Sequence, residues 1–264
     1  MRILVVQNKV YKDLDETLKN INKLIKEELC NLPDLIIFPE MFSTPYELKY
    51  IESNKQELDS NLIKFLSNLA KDNHCYIVGG SIPLLRENKI YNSSIIFNKK
   101  GEIINIYDKI HLFEITYPDG TYFSEAKVLS KGNKIITFDT EFGKFGVMIC
   151  FDIRFPMLAE KLMEKDILGI FVPAAFNTYT GPLHWTTTFR ARAIDNQLFM
   201  IGSSPSSNSF GKYNTYGHSI VVNPFGKVLK ELDGFENAFT IDIDLNEVKE
   251  ARKKIPILKN RIKL

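Results

Sequence analysis

Three reactive residue types close or interrupt apolar runs in this chain. Glu40 ends DLIIFPE, Lys109 sits between INIYD and IHLF, and Cys150 ends GKFGVMIC. In sheet-based α/β proteins ligands gather at the carboxyl ends of strands, so polar residues in these places are candidates for chemistry. Cys150 is followed by FDIRFPMLAEKL, which places the sulfur at a strand-to-helix junction. A helix N-terminus lowers a thiol's pKa and makes the thiolate, the form that attacks a carbonyl carbon, more available. Each residue taken alone also has a plainer reading. An isolated Glu or Lys is commonly an exposed charge, and a free cysteine is commonly a small buried hydrophobe, the reading given to Cys30 and Cys75.

The elements that must position these residues follow from the apolar pattern. Short runs rich in Ile, Val and Phe recur: ILVVQ, DLIIFPE, CYIVGGSI, NSSIIFN, IINIYDK, KIITFDT, FGVMIC, ILGIFVPA, LFMIGSS, HSIVVNP and AFTIDID. They predict strands, several buried on both faces. Helical spacing predicts helices over 13–30, 56–73, 156–165, 183–197 and 244–254, the third opening on Phe155-Pro156 with proline in a favoured first-turn position. NSSIIFNKKGEIINIYDK is a hairpin around Lys-Lys-Gly, whereas the helices at 13–30 and 56–73 separate strands as in βαβ units. The expectation is an α/β protein with mixed sheets and one domain over 1–264, since no repeat or Pro/Gly/Ser-rich linker divides the chain.

FPE, DKIHLF and ICFDIRF together resemble the motif set of the nitrilase-like carbon-nitrogen hydrolases, and the resemblance extends through AAFNTYTGPLHW, FRARAIDNQ and YGHSIVVNPFGKVL. It implies a four-layer α-β-β-α sandwich, commonly dimerised through helices. It also implies roles: Glu40 as general base, Lys109 as the cation facing the transition state, Cys150 as nucleophile and the backbone N–H of Phe151 as a second oxyanion donor. A further glutamate that positions the lysine falls on Glu125, with Glu114 as a rival. Phe151, where nitrilases usually carry Trp, makes nitrile hydrolysis the weaker branch. KIHLFEI, AAFNTYTGPLHW and AIDNQ resemble the omega-amidase branch, which implies hydrolysis of the terminal amide of 2-oxoglutaramate or 2-oxosuccinamate. Deaminated glutathione amidase is the runner-up.

Such a substrate carries a carboxylate at its far end, which needs a cation or several hydrogen-bond donors. The candidates are Tyr46, Asn177, Thr180 and His184. Arg154 and Asp152 are expected to pair and brace the turn after the nucleophile. Two rivals stay open here: a papain-like enzyme with His111 or His184 as base, and a catalytically silent binding protein on the same fold.

The remaining expectations are exclusions. Lys plus Arg number 34 against 32 Asp plus Glu, a net charge of +2, so nothing requires nucleic acid or an anionic membrane. No run approaches the roughly 20 apolar residues of a membrane span, and the N-terminal apolar stretch is too short for a signal peptide. Three widely spaced cysteines suit neither a disulfide framework nor a zinc knuckle, and the four histidines lack ligand spacing. A cytoplasmic enzyme without metal or cofactor is the expectation.

Overall fold

The computed structural model describes residues 1–262, so the last two residues of the domain expected over 1–264 lie outside the described residues. Strands β1 (Arg2–Gln7), β2 (Leu35–Ile37), β3 (Tyr76–Val78), β4 (Ile82–Arg86), β5 (Lys89–Phe97) and β6 (Ile103–Asp108) belong to the first sheet. A short hairpin follows, β7 (Glu114–Thr116) and β8 (Tyr122–Ser124). The second sheet holds β9 (Thr137–Thr140), β10 (Gly143–Val147), β11 (Gly169–Pro173), β12 (Phe199–Ser203), β13 (Ile220–Val222) and β14 (Val228–Glu231), and β15 (Asn237–Asp242) returns to the first. The helices are α1 (Leu14–Leu29), α2 (Leu48–Ser53), α3 (Asn61–Asp72), α4 (Pro156–Met163), α5 (Gly181–Asn196) and α6 (Asn246–Lys254).

Both sheets are mixed. The first runs β15-β1-β2-β3-β5-β4, with β3 and β4 taking successive stretches of one edge of β5 and β6 the other. The second runs β14-β13-β12-β11-β10-β9. Parallel pairs sit in the middle of each, β1-β2-β3 and β10-β11-β12, as the near-continuous apolar runs require of strands covered on both faces.

Side-chain alternation on β1 shows how the layers are made. Ile3 and Val5 share a core with Phe145, Phe171 and Phe199 of the second sheet. Leu4 and Val6 point the other way, onto Ile21 and Ile25 of α1 and Leu62 and Leu66 of α3. Across the second sheet, Leu158 and Leu162 of α4 and Trp185 and Phe189 of α5 close the outer layer. The expected α-β-β-α sandwich is therefore the observed one.

Local chemistry explains the boundaries. Asp13 caps α1, its side chain accepting from Glu16 N at 3.0 Å. The helix expected from 56 begins only at Asn61, because the Gln56 backbone is bound to β4: Gln56 N donates to Pro83 O and Leu85 N to Gln56 O, both at 2.8 Å. The helix expected over 183–197 starts two residues earlier, with proline in its first turn, and stops where Gln197 turns to φ 52°. Strands β4, β7, β8 and β14 and helix α2 were not expected.

One glycine bears directly on the position of Glu40. Gly80, at φ 56°, lies against the carbonyl of Pro39, the residue before Glu40, and a Cβ there would fall 2.2 Å from Pro39 O. Gly80→Ala is expected to cost about 2–4 kcal/mol, because the backbone is strained and Pro39 cannot retreat. Urea denaturation measures this, and an unchanged midpoint would contradict the assigned role.

Candidate active site

Glu40, Lys109 and Glu125 form one fully buried cluster. Lys109 Nζ lies 2.7 Å from Glu40 Oε1 and 2.9 Å from Glu125 Oε2. Asn92 of β5, also inaccessible, joins the carboxylates by donating from Nδ2 to Glu40 Oε1 at 2.9 Å and to Glu125 Oε1 at 3.1 Å. Glu125 is further held by Tyr46 Oη at 2.7 Å and by the Phe113 N–H at 2.6 Å. Glu114, the rival second glutamate, is exposed on β7 and accepts from Tyr122 Oη.

The strand ends aim these groups. Met41, directly after Glu40, and Cys150 both take positive φ, 50° and 45°. A left-handed turn is costly for a residue with a Cβ, by roughly 1–2 kcal/mol. At Cys150 it lifts the thiol off the line of β10 into a tight 3-10 turn, Cys150–Arg154, that leads to α4. The turn is fastened by Asp152. Its Oδ2 accepts from Tyr107 Oη at 2.7 Å and Ile149 N at 3.0 Å, and its Oδ1 from His111 N at 2.9 Å, with the His111 Nδ1 at 2.8 Å. Tyr107 and His111 flank Lys109 by two residues on either side, so one carboxylate holds the nucleophile's turn to the lysine's loop.

The expected pairing of Asp152 with Arg154 does not occur. Asp152 is consumed by the Lys109 loop, and Arg154 points instead into the chamber beside Cys150 that Phe113, Ala175, Asn177, Thr180 and Tyr213 also line. Its guanidinium lies over the Phe176 ring, 4.7 Å from the centroid, and 3.0 Å from His184 Nδ1. It has no carboxylate partner among the described residues. Burial lowers its pKa from the usual arginine value.

Electrostatics define the resting state. Burial raises the Glu40 pKa above the usual carboxylate range, the Lys109 charge opposes this, and the Glu125 charge adds to it. Burial works against the Lys109 ammonium, but the charges of Glu125 and Glu40 outweigh it and hold the lysine protonated. The Cys150 thiol does not follow the expectation drawn from a helix N-terminus. Burial, then the Glu40 charge, push it well above an ordinary thiol, and Lys109 and the Ala175 N–H, 3.5 Å from Sγ, recover only part. The turn after Cys150 is too short for a helix field to prevail. The sulfur therefore rests as a thiol and must lose its proton as it attacks. Glu40 Oε2, buried without a hydrogen-bond partner among the described residues, is an oxygen open to receive it.

The remaining candidates are placed as follows. Phe151 lines the chamber. Asn177 accepts from Thr180 N and Oγ1 through its Oδ1, and donates to Tyr117 Oη at 3.2 Å. Tyr46 has committed its hydroxyl to Glu125, and His184 stands behind Arg154. His111 is stacked on Phe155 at 3.6 Å and tied to Asp152, so neither histidine named as a rival base hydrogen-bonds the thiol. Among the site residues, sequence reasoning missed Asn92, Phe113 and Tyr213 and misassigned the partner of Arg154. Asn92 carried a faint signal, as a polar residue opening an otherwise strand-like run.

Known proteins resemble this chain along most of its length. The carbon-nitrogen hydrolase family model matches residues 2–253. The chain belongs to the carbon-nitrogen hydrolase family. The protein named omega-amidase NIT3 of Saccharomyces cerevisiae is 42% identical over 249 residues, covering 91% of this chain and 84% of that one. Omega-amidase NIT2 of Mus musculus is 36% identical over 260 residues, 98% of this chain and 94% of the relative. The crystal structure of S. cerevisiae Nit3, described as a member of branch 10 of the nitrilase superfamily, superposes with a TM-score of 0.88 at 37% identity, covering 98% and 96% of the two chains. As a family member the chain is a hydrolase, and among its described residues no helix is long and apolar enough to cross a membrane.

Proposed function

We propose that the chain, acting as one carbon-nitrogen hydrolase domain, cleaves the terminal amide of a small 2-oxo acid, 2-oxoglutaramate or 2-oxosuccinamate, to the 2-oxo dicarboxylate and ammonia. The observation that carries this reading is the buried Glu40–Lys109–Glu125 cluster beside Cys150, with Arg154, a cation lacking a carboxylate partner, lining the same chamber. The relatives named omega-amidases support the same substrate class.

In this mechanism Glu40 takes the thiol proton as Sγ bonds to the amide carbon, and negative charge moves onto the amide oxygen. Lys109 Nζ and the Phe151 N–H donate to that oxygen. Glu40 returns the proton to the nitrogen, the C–N bond breaks, and ammonia leaves a thioester on Cys150. Water then attacks the thioester, giving its proton to Glu40, and the product acid departs as the thiol is re-formed. Glu125, held by Tyr46, Asn92 and the Phe113 N–H, keeps the lysine in place throughout.

Arg154 supplies the cation for the far carboxylate, with Asn177 and Thr180 beside it. The chamber at Cys150 measures about 10 Å³, space for about one water, and a cavity of about 400 Å³ that shares Asn177 and Tyr213 opens outside it. Entry of the substrate therefore requires the wall near Tyr213 to move outward. The outer volume also favours a second reading, an amide with a longer tail such as deaminated glutathione. Side-by-side kcat/KM on 2-oxoglutaramate, 2-oxosuccinamate, deaminated glutathione and a simple aliphatic amide separates the two, and a preference for deaminated glutathione reverses the assignment. Arg154→Met is expected to lower kcat/KM on the oxo-acid amides by about 100-fold, the scale of a lost charge-assisted hydrogen bond, and to leave the aliphatic amide within a few-fold. Equal losses on both would remove the carboxylate contact.

The same reading places the enzyme in the cytoplasm as a homodimer, without nucleic-acid, membrane or cofactor partners. Three unpaired cysteines suit a reducing compartment. Met157 on α4 and Leu183 on the adjacent α5, each 72% exposed, supply apolar surface on the outer helical layer for a second copy. Light scattering at micromolar concentration reads the state, and a monomer there would contradict it.

A further inference from the structure

We infer that a second site, a cleft behind the Lys109 loop, binds a small dianion. The cleft encloses about 480 Å³ between the β4–β5 turn, β6 and the segment that follows Ser130, and it shares no lining residue with the Cys150 chamber or the outer cavity. Its wall is an arginine held rigid. Nη2 of Arg86 reaches both carboxylate oxygens of Asp108 at 2.5 Å, and the guanidinium lies over the Tyr91 ring at 4.8 Å.

Arginine ordinarily closes on a carboxylate as a fork, two nitrogens on two oxygens. Here one nitrogen serves both oxygens, and among the described residues Nε and Nη1 have no hydrogen-bond partner. Asp108 itself is further satisfied by Ser93 Oγ at 2.6 Å. Lys131 and Lys134 line the same cleft, exposed and without an ion pair among the described residues. The acids present are Asp108, already bound, and the exposed Glu87. Two unpaired ammonium groups beside a pre-oriented guanidinium edge match a ligand with two negative charges and three or more acceptor oxygens.

The loop carrying the two lysines is not loose. Gly132 N donates to Lys109 O at 2.9 Å, and Gly132 sits so close to the strand that a Cβ would fall 2.1 Å from Asp108 O. The cleft is thus built onto the residue that precedes Lys109, with the backbone that carries the two lysines anchored at Gly132.

Two sources share this chemistry: inorganic phosphate or a phosphate monoester, and a dicarboxylate. The test uses the full chain at constant ionic strength, titrated with phosphate, with 2-oxoglutarate and with chloride, and followed by thermal shift and calorimetry. Wild type is compared with Lys131→Ala/Lys134→Ala and with Arg86→Gln. Saturable stabilisation by phosphate or 2-oxoglutarate beyond chloride is expected, with affinity at least tenfold weaker in the double variant and turnover unchanged within twofold. The anion whose response weakens in the double variant identifies the source. No shift beyond chloride, or a double variant that responds like wild type, overturns the site. Because the readout is binding, its failure would leave the proposed amide hydrolysis untouched.

Discussion

Cys150→Ala is expected to lower kcat roughly ten-thousand-fold or more while leaving the fold intact. The substitution removes one sulfur that meets the Glu40 carboxylate and accepts a weak hydrogen bond from the Ala175 N–H, and alanine meets the same left-handed backbone cost at φ 45° that cysteine already bears. Unfolding free energy should therefore change by no more than about 1 kcal/mol. Chemistry has no substitute: Cys30 is exposed on the far end of α1, and Cys75 is buried with its thiol pushed up to about 12 by burial. Steady-state turnover with denaturation on the same preparation makes the measurement. Acid-quenched mass spectrometry of wild type should show an acyl mass on the peptide that contains Cys150. Turnover by the alanine variant above one per cent of wild type would end the nucleophile assignment.

Lys109→Met should be damaging twice over. Loss of an oxyanion donor alone costs about 100- to 1000-fold in kcat. Loss of the ammonium also leaves Glu40 and Glu125 facing each other without exposure to water, and removing one partner of a buried ion pair costs about 3–5 kcal/mol. Lys109 holds the Glu40 pKa down against burial, so its removal raises that pKa further. Two pH effects follow. Glu40 is lost as a base at a higher pH, so the acid limb of kcat/KM moves upward relative to wild type. An acid whose folded pKa lies above its unfolded value near 4.3 releases its proton first in the unfolded chain, so stability falls as pH rises from there toward the folded pKa. The variant should come closest to wild-type stability at acid pH and fall furthest behind at neutral pH. Melting temperatures across that range and the pH profile of residual activity test both. A variant with wild-type stability at pH 7 and an unmoved acid limb would show that Lys109 neither neutralises nor tunes the cluster.

What could be read from sequence divides along a physical line. Runs buried on both faces announce themselves by composition, so β1, β11, β12 and the β5–β6 hairpin lie where the apolar pattern placed them. Short edge elements do not. The β7–β8 hairpin and β14 alternate too briefly, over 3, 3 and 4 residues, to stand out from loops. Helix α3 starts late because a long-range pairing with β4 claims Gln56, and local spacing carries no trace of that. The juxtaposition of Glu40, Lys109 and Cys150 came from motif resemblance and could not have come from spacing, since each ends a different strand. The pairing expected of Arg154 fails for a related reason. A buried arginine does need a partner, but the nearest acid in sequence, Asp152, is spent on a loop 41 residues away.

The buried cluster also bears on how the reaction finishes. Two carboxylates and one ammonium, Glu40, Glu125 and Lys109, form the cluster at which, on the proposed function, the amide is cleaved. On the proposed chemistry a neutral amide enters that place and an ionised acid is left there, facing two like charges and a single cation. The site therefore expels what it makes. Inhibition by the dicarboxylate product should be weak beside the affinity for the amide, so release of product does not hold back turnover, while the overall equilibrium of the hydrolysis is unchanged.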